Sequence, residues 1–347
     1  SSGESIAIKA DRLIDGTGAA PLTDAVLVLE DDRIMAVGAA ANVRIPSGAR
    51  VIDLKGFTLL PGLMDCHVHI VGRPGDGGDT HKLKETIAHE AIYATVHAKI
   101  TLDAGFTTVR NVGAGNYHDA AIRDLINEGV VPGPRIYAAT RGLGSTGGHA
   151  DINGWNPDLN LPGYAQIADG VAALRRAVRT QLKNGADFIK ITATGGVLSA
   201  GDALSEQAYS LEELEAVVET ARMLGAKVAA HAHSPNGMND AIRAGVASIE
   251  HGSVLDDEAI QLMKEHGTWL VADIYNDTYI LAEFEKLGFP EHIIDKERMV
   301  GRAQRENFRK AVEAGVKIAF GTDAAIFPHG KNARQFAYMV EWGLTPM

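Results

Sequence analysis

With 347 residues, 46% of them hydrophobic and 22% charged, the chain has ordinary globular composition and room for one large α/β barrel or two domains. A formal net charge of −11 speaks against a phosphate-binding surface and so against nucleic acid as a partner. No apolar run approaches the roughly 18 residues that span a bilayer, so no membrane partner is expected. The single Cys66 rules out an internal disulfide. The opening Ser1-Ser2-Gly3-Glu4 fits a cleaved leader or a residual tag. The expectation is a soluble protein, cytoplasmic or exported with its leader already removed.

Residues 1–60 read as a small β-layer domain. Its short strands are Ile6–Ala10, Ala25–Glu30, Arg33–Val37, Val51–Leu54 and Thr58–Leu60, with hairpin-turn composition at Asp31-Asp32. So few strands bury little by themselves. Residues 61–347 alternate apolar strands with helix-length segments. The strands are Leu63–Ile70, Thr107–Val112, Arg135–Thr140, Asp187–Thr192, Lys227–His233, Ser248–Gly252, Thr268–Ile274 and Lys317–Asp323. Helical segments lie near 80–104, 117–128, 166–184, 210–224, 236–244, 256–266 and 290–314, with another starting at Gln335–Trp342. Ser210-Leu211-Glu212-Glu213 is a capping box, and Gly185, Gly225, Gly245, Gly267 and Gly315 sit where helices end. Eight strand-then-helix units predict an α/β fold, a (β/α)8 TIM-like barrel. The alternative is a doubly wound open sheet, but no GxGxxG follows the early strands to support it.

In such a barrel, chemistry sits at the C-terminal ends of the strands, where the polar residues of this chain gather. His67 and His69, two apart, share one face of the first strand and suit a divalent transition metal, although hydrogen-bonded histidines are the plain alternative. Arg110 and Asn111 end the second strand, Lys190 the fourth, His231 and His233 the fifth, His251 the sixth and Asp323 the eighth. Lys190 is a charged residue in a buried strand, so it must be neutral, paired or modified. It could pair with Asp323. It could instead take up CO2 as a carbamate, whose two oxygens bridge two metals. Two divalent ions contribute about +4, and a carbamate, Asp323 and a bridging hydroxide about −3, leaving a site near +1 that polarises a carbonyl. His67, His69, His231 and His251 complete the coordination set. By contrast, His81, His89, His97 and His118 fall in helical segments and read as solvated, and Met223, Met238, Met263 and Met299 as core or helix-face filler.

Val51-Ile52-Asp53-Leu54, the run Leu60–His69, Lys190, His231, Ile249-Glu250-His251-Gly252 and Gly321-Thr322-Asp323 together resemble the amidohydrolase superfamily over nearly the whole chain. The resemblance implies two divalent ions, most suitably zinc. His67 and His69 would hold the more buried ion and His231 and His251 the more exposed one, with His233 as the alternative to His231. Lys190, as a carbamate, would bridge them, and Asp323 would bind the buried ion and serve as proton shuttle for a bridging hydroxide. Phe106–Arg110, Thr146-Gly147-Gly148-His149, Thr194–Ser199, Gly321–Ala324 and Pro328-His329-Gly330 narrow the likeness to the prolidase-like group, which includes enzymes that cleave ochratoxin. That group implies hydrolysis of an amide next to a carboxylate-bearing residue, in dipeptides or N-acyl and N-aroyl amino acids. Here His149, Tyr209 and Arg110 are candidates to hold the substrate carboxylate, and His233 and Tyr275 to touch substrate. The segment 275–290 could cover the site. Asn111 stands where the family leads one to expect Asp. The family's β-layer is usually closed, as a small sandwich, by strands after the barrel, and these are missing from the sequence. A cyclic-amide hydrolase or deaminase with one metal is the nearest alternative, a non-catalytic homologue a more distant one. A homo-oligomer is expected by resemblance.

Overall fold

The computed structural model describes residues 4–75, 84–159, 161, 163–200 and 202–346. The chain divides into two compact units, one ending at Leu63 and the other running Met64–Pro346. In the first, β1 (Ser5–Leu13), β2 (Leu22–Glu30), β3 (Arg33–Ala39) and β4 (Arg50–Leu59) form one sheet in the order β3-β2-β1-β4. Asp31, with φ of 53°, makes the β2–β3 turn, since aspartate tolerates the left-handed region better than most residues. The two expected strands at 51–54 and 58–60 are one strand. Its pairing with β1 slips between Ala10 and Arg12, opposite Lys55-Gly56-Phe57, where Gly56 has φ of 86°. That bulge breaks the alternation in sequence without ending the strand. Ala7, Val26 and Val28 form the core of the sheet. Among the described residues this unit holds a single sheet, so the second face of the expected sandwich is not seen.

The second unit is mixed α/β. Its strands are β5 (Leu63–Val68), β6 (Phe106–Asn111), β7 (Arg135–Ala138), β8 (Leu143–Gly144), β9 (Gln166–Ile167), β10 (Ile189–Thr192), β11 (Val228–Ala232), β12 (Ser248–His251) and β13 (Trp269–Val271). The helices are α1 (Ile87–Asp103), α2 (His118–Asn127), α3 (Val171–Lys183), α4 (Leu211–Met223), α5 (Pro235–Ala244), α6 (Asp257–His266), α7 (Asn276–Glu283), α8 (Glu291–Ala314) and α9 (Arg334–Glu341). Ser210 caps α4 reciprocally with Glu213, and Gly245, Gly267 and Gly315 end their helices with φ of 95°, 69° and 77°. Leu174, Ile189, Ile191, Leu214, Ile242, Ile249 and Phe308 are buried in the main core between helices and strands.

The strands pair in parallel as β5-β6-β7 and as β13-β12-β11-β10-β8-β9. Further hydrogen bonds connect the two series. Asp187, just before β10, donates its N–H to Ala138 O at 2.7 Å. The segment 317–324 bonds to β13 on one side, through Leu270 N to Lys317 O at 2.8 Å. On the other side it bonds to β5, through Cys66 N to Phe320 O and Asp323 N to His67 O, both at 2.8 Å. This segment was expected as the eighth strand. It is not regular, because Asp323 takes a left-handed φ of 55°. The expected third strand likewise stops at Ala138 and resumes at Leu143, interrupted by Thr140 at φ of 59°. Residues 166–167 pair with β8 rather than opening a helix, which begins only after Gly170.

Asp65 holds the junction of β5 with segment 317–324. Its carboxylate accepts from Thr322 Oγ1 at 2.6 Å, Asn332 Nδ2 at 2.7 Å, and the N–H groups of His67 and Thr322 at 3.1 Å. Removing a buried acceptor strands all of these donors. Asp65→Ala is expected to lower the unfolding free energy by about 2–4 kcal/mol, read from the shift of a urea midpoint.

Candidate active site

Five of the expected metal ligands, His69, Lys190, His231, His251 and Asp323, line one cavity of about 580 Å³ together with His149 and His233. His67 lies beside them, with its Nε2 3.4 Å from Asp323 Oδ1, and His69 Nε2 is the same distance from that oxygen. Hydrogen bonds on the far side of each ring fix where the protons are. His67 Nδ1 lies 2.7 Å from Glu250 Oε2, His69 Nδ1 3.0 Å from Gly113 O, and His251 Nδ1 3.0 Å from Asp273 Oδ1. All three partners accept only, so each Nδ1 carries a proton, and in a neutral ring Nε2 presents a lone pair. His67 Nε2 and Asp323 Oδ1 are buried and have no hydrogen-bond partner among the described residues. Two electron-rich atoms facing each other with no proton between them repel, and a cation relieves that.

The ligand atoms fall into three groups, each within 4.8 Å: His67, His69 and Asp323; His231, His233 and His251; and His251, Asp273 and Asp323. A set of imidazoles and carboxylates suits a divalent transition metal. Burial keeps the rings neutral, as metal binding requires: it pulls His69 down to about 4 and His231 and His233 well below their ordinary value. Burial and Lys190 work against charging His67, yet Asp323 and Glu250 raise it overall. Burial would raise Asp323, but His67 and His69 hold its carboxyl below the usual range. Lys190 is buried, and burial lowers its ammonium to about 8. Among the described residues it makes no ion pair, so the alternative of a pairing with Asp323 or another carboxylate is not seen. His251 and Asp323 both carry left-handed φ values, 70° and 55°, a strain of about 1–3 kcal/mol each that surrounding contacts must hold.

Arg110 was expected to meet a substrate carboxylate, but its guanidinium is already engaged. It donates to Cys66 O, Ser248 Oγ and both oxygens of Glu250, so it fixes the carboxylate that orients His67. Tyr209 is a core residue donating to Ala168 O at 3.2 Å. Tyr275 accepts from Arg334 and packs on Phe327 and Tyr338, lining a separate surface pocket. None of the three lines the cavity, which corrects their assignment to substrate. His149 does, stacked on His231 with ring centroids 4.3 Å apart. Its Nδ1 lies 2.7 Å from Ser199 Oγ, which donates to Asp202 Oδ1, and Lys296 Nζ donates to the same oxygen at 3.2 Å. Gly196 is obligatory beside it, since a Cβ there would lie 2.3 Å from the His149 ring. The 275–290 segment contributes Ile280 and Pro290 to the cavity wall.

Several contributors were not foreseen. Glu250 and Asp273 orient the rings of His67 and His251, but only spatial pairing reveals it. Gln304 donates to Asp273 at 2.8 Å and to His251 O, and Asn307 to Ser253 O. Asn111, standing for the expected Asp, keeps a structural part by accepting from Ile70 N at 2.7 Å and donating to Asp119. His97 and His118 are buried rather than solvated: His97 bonds Ile70 O and His118 bonds Glu90. His89 caps α1, and His81 lies outside the described residues. Met238 and Met263 are core, while Met223 and Met299 are exposed.

A mixed α/β unit gathers imidazole and carboxylate donors around one cavity, a set that could hold a divalent metal ion. The chain belongs to the amidohydrolase family, whose pattern it matches over residues 58–347. It is 34% identical to the ochratoxinase of Aspergillus niger, over 98% of this chain and 73% of that protein. A crystal structure of a Xaa-Pro dipeptidase with bound methionine in the active site is similar at TM-score 0.90 and 41% identity, covering 98% of this chain and 84% of that one. The crystal structure of A. niger ochratoxinase is similar at TM-score 0.87 and 32% identity, covering 100% and 82%. These relatives bear out the resemblance to the prolidase-like group. Family membership supports hydrolysis of an amide bond.

Glu250→Gln is expected to weaken binding of a divalent ion roughly 10–100-fold, because a neutral amide holds the His67 Nδ1–H less firmly and turns its NH2 towards a donor of Arg110 or His67. Competition with a metallochromic chelator reads this directly, and unchanged affinity would mean that other contacts orient the ring.

Proposed function

We propose that the chain is a metal-dependent hydrolase that cleaves the amide next to a C-terminal carboxylate-bearing residue. Its substrates would be dipeptides or N-acyl and N-aroyl amino acids, amides of the ochratoxin type included. The observation that carries this reading is the pair of buried, unpartnered atoms, His67 Nε2 and Asp323 Oδ1, 3.4 Å apart. The strand series linked through segment 317–324 supports reading the second unit as a (β/α)8 barrel, with the site at its strand ends.

His67, His69 and Asp323 would hold one ion and His231 and His251 a second, with Lys190 as a carbamate between them; His233 remains the alternative to His231. Divalent ions there, most suitably zinc, supply Lewis acidity to the scissile carbonyl and to the attacking water. The unpaired Lys190 amine, lowered to about 8 by burial, supports the carbamate because only a neutral amine adds CO2. Asp323, ionised and facing the cavity, takes the proton of the water and delivers it to the leaving nitrogen, which otherwise departs as an unstable anion. His149 is placed to hold the substrate carboxylate. With Nδ1–H directed to Ser199, its Nε2 accepts in the neutral ring, so holding an anion requires the imidazolium, which the docked anion favours. Assembly as a homo-oligomer belongs to the same reading, supported by the family resemblance.

Elemental analysis of the metal-replete protein is expected to give two ions per chain; one per chain would favour the cyclic-amide hydrolase or deaminase alternative. Asp323→Asn is expected to retain most of the metal while kcat falls about 10²–10⁴-fold. Turnover near wild type would end the proton-shuttle assignment.

A further inference from the structure

One acid in the cavity wall has no role in the chemistry above. Glu297, on α8, is 5% exposed and lines the same cavity as the ligand cluster. Two other buried acids lie nearby, and both are compensated. Asp273 accepts from His251 Nδ1 at 3.0 Å, Gln304 Nε2 at 2.8 Å and Asn276 Nδ2 at 2.6 Å. Asp277 lies 3.1 Å from the Arg305 guanidinium. Glu297 has neither a hydrogen bond nor an ion pair among the described residues. Its carboxyl is pushed up to about 8, by burial first and then by Asp277 and Asp273, with Arg305 the nearest opposing charge. A buried carboxyl with no donor is costly unless a solute satisfies it.

The surroundings say what that solute carries. Ile293 and Val300, on the same helix, give the cavity wall an apolar surface there, and the charges acting on Glu297 are mostly negative. A metal ion at Glu297 itself is disfavoured, because one carboxylate makes a poor cage. A compact cation bearing several N–H donors fits best. In a dipeptide the free α-ammonium is two bonds from the scissile carbonyl carbon, so it must enter the cavity whenever that carbonyl reaches the ligand cluster. We infer that Glu297 forms the subsite for the free α-ammonium of the substrate, so that unblocked dipeptides are preferred to N-acyl amino acids. The inference rests on the hydrolase reading for its substrate, and it chooses between the two classes left open there.

The test compares leucyl-phenylalanine with its N-acetylated form on the metal-loaded protein. Wild type is expected to favour the free amine at least about tenfold in kcat/KM, and Glu297→Gln to collapse that ratio towards one. A wild type indifferent to acetylation, or a Glu297→Gln variant that keeps the preference, overturns the proposal. If neither peptide is cleaved, the hydrolase reading fails, while isothermal titration calorimetry on the same pair still decides the subsite. Tighter binding of the free amine, lost in Glu297→Gln, supports it; equal or absent binding overturns it. Circular dichroism checks that the variant folds, and if it does not, the wild-type comparison decides alone.

Discussion

A buried imidazole nitrogen pointed at a buried carboxylate oxygen is the constraint that the rest of this site answers to. His67 Nε2 and Asp323 Oδ1 oppose one another at 3.4 Å, and neither has a hydrogen-bond partner among the described residues. Held without a cation, such an arrangement would relax by rotating a ring or protonating an acid. The contacts around it prevent that. Glu250 fixes the far nitrogen of His67, and Arg110 fixes Glu250. Asp65 ties the backbone of Thr322 to that of His67. Even the backbone contributes, since Asp323 and His251 keep left-handed conformations that an unconstrained residue of their kind would leave. The stability invested in these contacts is recovered when a positive charge enters.

The electrostatics of the cavity divide by distance from that pair. Near it, burial keeps His69, His231 and His233 neutral, and the ionised Asp323 supplies the negative charge. Farther out, His149 is kept neutral at about 4 by burial, while Glu297 is driven the other way, to about 8. A neutral ring able to take a proton and a neutral acid able to lose one are complementary to a zwitterion. Its anionic end would favour the first change and its cationic end the second.

Much of this was legible in the sequence. The alternation of apolar strands with helical segments, the capping box at Ser210 and the glycines at helix ends all marked elements the structure contains, because these signals are local. The gathering of His67, His69, Lys190, His231, His251 and Asp323 at one cavity was legible too, because in a chain that alternates strands and helices the polar strand ends fall on one side. What failed was anything dependent on which way a side chain turns after its strand ends. Arg110 sits at such an end, yet its guanidinium folds back onto Glu250, and Tyr209 reaches a carbonyl in the core. Glu250 and Asp273 looked unremarkable because their partners are distant in sequence. Glu297 gave no signal, since an acid on a long charged helix reads as solvated until its burial is known.

The contacts of α8 have a mechanical consequence. Lys296 holds the carbonyls of Gly196 and Ser199 near its start, Glu297 beside it and Val300 one turn on line the cavity, and Gln304 and Asn307 grip the turn around His251–Ser253. From Lys296 to Asn307 is about three turns, roughly 16 Å of a single rod. The loop that steadies His149 and the bend that carries His251 are therefore rungs on one stiff ladder. Sliding that helix along its axis would shift both together, so the spacing between the two ends of the cavity is set by the pitch of an α-helix rather than by the loops.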